Sequence, residues 1–103
     1  MNKLIDFYLV QETKSKDSTG QTTTQKTFVL RTGIEKSVYQ KEFFQAEQAG
    51  IRPQGIVEIS VFDYANEAFL KIGTQEYLIY RTYRKGTDRI ELYYCERVGN
   101  KNG

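Results

Sequence analysis

Apolar and polar residues alternate with a period of two through most of this chain, which predicts a succession of half-buried strands. Ile5, Phe7 and Leu9 alternate with more polar neighbours and predict a first strand over about 4–13. Lys14 to Gln25, KSKDSTGQTTTQ, then has no apolar residue in twelve positions. Nothing in it can offset the entropy of ordering by burial, so it predicts a loop or a long exposed hairpin tip. A second strand follows around Phe28 and Leu30 and is expected to continue past Gly33 toward Val38, bent at that glycine. Beyond Pro53, Val57, Ile59 and Val61 alternate with Glu58 and Ser60 as a third strand. Ala65-Asn66-Glu67 reads as a turn before a short strand through Phe69, Leu70 and Ile72. Gly73-Thr74 suits a type II′ hairpin turn into a strand through Tyr77, Ile79, Arg81 and Tyr83. Lys85–Asp88 turns the chain back through Ile90, Leu92 and Tyr94, and 99–103 reads as a frayed polar tail.

The period changes once, over SVYQKEFFQAEQAGIRP, Ser37–Pro53. Ser37 with Gln40 three residues on has capping-box spacing, and Gly50 suits the left-handed position that ends a helix. The segment therefore predicts a helix at about 38–49, with Tyr39, Phe43 and Ala46 sharing one face. Phe44 lies about 100° further round the axis, which widens the apolar stripe. The phenylalanines either both pack inward or leave one for a neighbouring subunit. About six strands joined by hairpins, plus this helix between the N-terminal hairpin and the C-terminal strands, predict a single mainly β domain. A small antiparallel barrel or sandwich spanning 1–103 is the expected architecture.

Composition narrows the chemistry. With 103 residues, 39% hydrophobic and 27% charged, the chain fits a folded domain, and no apolar run approaches a bilayer span. The N-terminal LIDFYLV is broken by Asp6 and followed by no small-residue cleavage site, so no signal peptide is expected. The single cysteine, Cys95, excludes an intrachain disulfide and is compatible with a reducing compartment. There is no histidine, no phosphate-binding glycine motif and no cysteine set for zinc, so neither cofactor nor metal is expected. Asp63, Glu67, Asp88 and Glu91 remain as carboxylates for acid–base work, but the first three sit at or near turns, where acids commonly serve local hydrogen bonds. No enzyme is expected.

A net charge of +2 is too balanced to imply nucleic-acid binding. The segment Tyr77–Lys85 does interleave tyrosines with Arg81, Arg84 and Lys85, as a base-stacking strand would. Strand alternation puts Tyr77, Arg81 and Tyr83 on one face and Tyr80 with Arg84 on the other, so neither is a clean aromatic platform.

From Ser37 onward the chain resembles the head closure, or head–tail joining, proteins of long-tailed bacteriophages. The resemblance is carried by EFFQAEQAGIRP (Glu42–Pro53), FDYANE (Phe62–Glu67), EYLIYRTYRKGTDRIELY (Glu76–Tyr93) and overall length, about two thirds of the chain in all. It implies a small β-barrel without enzymatic activity, acting in the virion at the head–tail interface after assembly in the host cytoplasm. Such proteins form a homo-oligomeric ring beneath the portal and its adaptor, close the DNA channel after packaging and provide the tail docking surface. Contact with double-stranded DNA is transient and non-specific, in keeping with near-neutral charge, because strong phosphate contacts would retain the DNA. A long loop can project toward the channel in that family. Lys14, Lys16, Asp17, Thr19, Gln21 and Thr23 are the gating candidates here. The subunit or adaptor interface is expected on Tyr39, Glu42, Phe43, Phe44 and Gln45, continuing to Ile51 and Arg52. The alternatives are a neighbouring connector component, a tail terminator or adaptor, and a small nucleic-acid-binding barrel.

Overall fold

Six antiparallel strands close into a barrel in the order β1-β2-β3-β6-β5-β4. The computed structural model describes residues 2–97, and the tail expected at 99–103 lies outside them. In chain order the elements are β1 (Lys3–Lys16), β2 (Thr22–Lys36), α1 (Gln40–Gln48), β3 (Pro53–Ser60), a 3₁₀ turn (Val61–Asp63), β4 (Phe69–Ile72), β5 (Gln75–Lys85) and β6 (Arg89–Glu96). The expected mainly β fold with one helix between the hairpin and the later strands is therefore the one observed. No helix among the described residues is long and apolar enough to cross a membrane.

The inner wall follows the period-two reading. Phe7 and Leu9 of β1, Val57 and Ile59 of β3, and Leu92 and Tyr94 of β6 are buried together, and Leu70 of β4 joins them. Each apolar side chain so buried contributes about 1.5–3 kcal/mol. β2 has a glycine where it crosses this core. A Cβ at Gly33 would lie 2.8 Å from the Cγ2 atoms of both Val57 and Ile59 and 2.9 Å from the Glu58 carbonyl. The strand runs on through Gly33 to Lys36, where it pairs with β3 from Ile34↔Glu58 to Lys36↔Ile56.

The N-terminal hairpin departs from expectation. Lys14–Lys16 and Thr22–Gln25, read as part of a loop, are strand, and the connection is only Asp17–Gln21. Six residue pairs, Gln11↔Thr27 to Lys16↔Thr22, extend past the last contact of β1 with β4 at Val10. At ~3.4 Å per residue they form a two-stranded ribbon about 20 Å long. It helps to give the molecule extents of 50 × 31 × 25 Å. Burial does not order it; local pairing does. Asp17 Oδ1 accepts from the Thr19 and Gln21 amides at 3.0 and 2.9 Å and from the Thr19 hydroxyl at 2.7 Å. These bonds hold the Asp17 carboxyl below its usual range, the Thr19 hydroxyl contributing most. Ser15 and Thr23 meet across the ladder at 3.2 Å, and threonine suits a pleated, solvated surface.

The helix begins later than the capping-box spacing predicts. Tyr39 is the N-cap, with no side-chain cap, and Ser37 lies outside the helix. β2 continues to Lys36, which leaves only three residues before Gln40. The other end forms as expected. Gly50 has φ 77°, its amide donates to Glu47 O at 2.9 Å, and Ile51 N donates to Ala46 O at 2.9 Å. That is a Schellman motif.

Candidate functional site

The helix lies on the outside of the barrel, and its inward residues are Glu42 and Ala46, not the Tyr39–Phe43–Ala46 face that apolar spacing suggests. Glu42 is 5% exposed. Its carboxylate accepts from Tyr80 Oη at 2.8 Å and from Arg81 Nε and Nη2 at 3.2 and 2.7 Å. The Arg81 bonds, joined by Tyr80 and opposed by burial, hold Glu42 below the usual carboxylate range.

A β-bulge makes this clasp. Ile79 pairs with Tyr94 while Arg81 pairs with Tyr93, so Tyr80 is an extra residue in β5. Strict alternation separates Tyr80 from Arg81; the bulge turns both toward Glu42. Tyr80 also meets Tyr93 edge-to-face at 6.3 Å, and the Arg81 guanidinium lies 4.1 Å from the Tyr93 ring centre. Of the tyrosines and cations interleaved along β5, Tyr80 and Arg81 are thus engaged within the molecule, while Tyr83 is 54% exposed.

Between α1 and the β5–β6 wall is a groove of about 340 Å³, bordered by Tyr39, Lys41, Gln45 and Tyr83 with Glu91 among its lining. Glu58 and Glu91 are opposite one another on β3 and β6, 8% and 2% exposed. Two adjoining carboxylates repel unless cations separate them. Lys36 donates to Glu58 and, at 2.9 Å, to Glu91. Lys85 lies 3.4 and 3.8 Å from the two, Arg89 Nε donates to Glu58 at 2.9 Å, and Tyr93 Oη donates to Glu91 at 3.0 Å. Burial pushes the Glu58 carboxyl up, but the bonds from Lys36 and Arg89 outweigh it and bring it down to about 2. Burial acts against the Lys36 charge too, and the two carboxylates more than reverse it, raising its pKa. No buried side-chain nitrogen or oxygen among the described residues lacks a partner. The cluster is a clasp tying four strands together, with no uncommitted acid or base in it.

Of the other acids weighed from sequence, Glu67 bonds through its carboxylate, and Asp63 and Asp88 through their main-chain carbonyls. Glu67 Oε1 accepts from the Ala65 amide at 2.8 Å, the Asp63 carbonyl accepts from Arg31 Nε at 3.0 Å, and the Asp88 carbonyl accepts from Val61 N at 2.9 Å.

The predicted interface residues separate into two groups. Glu42 is an internal anchor and not a contact residue. Tyr39, Phe43 and Phe44 are 52, 45 and 61% exposed, so both phenylalanines face out rather than one. Gln45 and Arg52 are exposed and Ile51 half-buried. Ile51 and Arg52 border a second groove of about 510 Å³ with Phe69, Leu78 and Cys95. The gating candidates sit together at the ribbon tip, Lys14, Lys16 and Thr23 on its strands and Asp17, Thr19 and Gln21 in or beside its turn. The ribbon root is tied down by ions. Arg97 bridges Glu12 and, at 2.8 Å, Glu76, and Lys26 lies 3.1 Å from Glu76.

Sequence reasoning did not single out Lys36, Glu58 and Arg89. Glu58 alternates with Val57 and Ile59 as any solvent-facing strand residue does, and only the pairing of β3 with β6 reveals its neighbour. No protein-family model matches the chain, and neither curated proteins nor solved structures give a significant match. Fold and site together define a closed β-barrel with an external helix, a projecting polar ribbon and exposed aromatic residues.

Proposed function

We propose that this chain is a structural subunit of a bacteriophage head–tail connector, forming a ring that closes the DNA channel after packaging and offers the tail a docking surface. The observation that carries the reading is the ribbon. It extends about 20 Å from the barrel and has no apolar side chain from Lys14 to Gln25. It can bury little against its own barrel, so its use lies in what stands beyond it. Projected into an aqueous channel, it obstructs by its bulk. With Lys14 and Lys16 near Asp17 it has few phosphate contacts to offer, which lets DNA pass when the ribbon moves aside. The segments that resemble head closure proteins support the same reading, and the balanced charge suits it. Negative-stain microscopy of the chain added to portal–adaptor complexes tests it. Added ring density beneath the adaptor is expected; its absence overturns the assignment.

A further inference from the structure

Two apolar patches stand on opposite walls of the barrel. In the strand order β1 is flanked by β2 and β4 while β6 is flanked by β3 and β5, so β1 and β6 face each other across the core. Outward from β1 and β2, Leu4 is 72% exposed, Tyr8 40%, Phe28 44% and Leu30 56%. Phe7 and Leu9 fill the core, while on the other face Tyr8, Leu30 and Phe28 meet solvent together and the Asp6–Thr32 pair separates them from Leu4. Strands with two apolar faces are ordinarily covered on both. Over the β6 wall, α1 presents Tyr39, Phe43 and Phe44. Clustered aromatic and aliphatic side chains exposed in this way mark a surface that contacts a partner.

We propose that the chain associates head to tail with copies of itself, the outer face of β1–β2 on one protomer seating against the Phe43–Phe44 face of α1 on the next. The inference rests on the ring reading above and names the walls through which its subunits meet. Two unlike patches on opposite walls suit a heterologous contact that repeats around a ring. Charge argues for a second copy as the occupant. Beside the hairpin patch, among the described residues, Asp6 bonds the Thr32 hydroxyl alone, at 2.8 Å, and Lys71 meets the Phe28 ring, at 5.3 Å, and no acid. On α1, Lys41 and Glu47 are in none of the ion pairs among the described residues. Each wall thus carries one acid and one base without an ion-pair partner among the described residues, which the other wall supplies as Asp6 with Lys41 and Lys71 with Glu47. A two-fold helix-on-helix pairing also matches Lys41 with Glu47, but it leaves the hairpin patch bare.

Disulfide trapping separates these arrangements. The native Cys95 is 7% exposed and burial raises its thiol pKa, so introduced thiols dominate. Leu30→Cys and Phe44→Cys are oxidised mildly, each alone and then mixed. Cross-linked dimer is expected in the mixture and in neither variant alone, and the double variant gives a ladder. Dimer from Phe44→Cys alone overturns the head-to-tail contact, as does a mixture of variants with wild-type circular dichroism that fails to cross-link. Lys41→Asp should abolish trapping and Asp6→Lys in the partner should restore it. The same samples on portal–adaptor complexes keep the two ideas apart. Ring density without cross-linking sinks the contact and leaves the connector role; cross-linking without ring density does the reverse.

Discussion

Glu42 carries more of the helix's docking than either phenylalanine beside it. Its carboxylate takes three hydrogen bonds from Tyr80 and Arg81 while Phe44 is 61% exposed. Glu42→Gln retains the shape but loses the charge that Arg81 faces. It should cost about 1–3 kcal/mol of unfolding free energy, because a charge-assisted bond is lost and part of a buried pair is left poorly matched. Phe44→Ser should change stability by no more than about 0.5 kcal/mol. Urea midpoints of the two variants check the order; equal losses would mean that the phenylalanine is packed. The sequence pointed at this segment but inverted its faces. Apolar spacing favours Tyr39, Phe43 and Ala46 as the inward stripe, and a lone glutamate on a helix ordinarily reads as solvated. What reverses the choice is the bulge at Tyr80, which leaves no mark in a pattern of apolar and polar letters.

Among the elements, the ribbon shows how polarity and order separate. Exposure was legible at Lys14–Gln25, since twelve residues without an apolar side chain have no core to join. Order was not, because it comes from register and from the Asp17 turn, neither of which alternates in hydrophobicity. The glycine turns were plainer. Gly73 has φ 62° with Thr74 outside the positive-φ residues, as a type II′ turn requires. Deleting Lys14–Lys16 together with Thr22–Thr24 keeps the Asp17–Gln21 turn and shortens the ribbon symmetrically. Thermal unfolding should move by no more than the equivalent of about 0.5 kcal/mol, while packaged heads carrying the variant should leak DNA. Normal DNA retention would remove the ribbon from the gate.

On the scale of the molecule, the barrel is held by apolar burial inside and by the Lys36–Glu58–Glu91 clasp outside, and the latter gives it a pH dependence. Glu58 is depressed from its ordinary 4.5 to about 2, so its contribution is fully present above pH 4.5 and fades as pH falls toward 2. The shift corresponds to something on the order of 3 kcal/mol. Urea titrations at pH 7 and pH 3 should show wild type losing part of that difference. Glu58→Gln should be weaker at pH 7 and flatter between the two. A wild-type curve no steeper than the variant's would show that the clasp is not formed in solution.

Closure of the barrel also decides where the backbone itself is available. Every barrel strand has a neighbour on each side over part of its length, but β2 pairs with β1 alone from Thr22 to Gly33, and β1 pairs with β2 alone from Gln11 to Lys16 and from Lys3 to Phe7. Amides there should therefore exchange with solvent deuterium in an every-other-residue rhythm, slow where they point across the ribbon and fast where they point away. Stretches paired on both sides, such as Tyr8–Val10 and Ile56–Glu58, should remain protected throughout. That rhythm makes the ribbon readable by an outside strand. A partner that recruits this chain through main-chain pairing would find a template there, and would announce itself by silencing the fast half of the pattern.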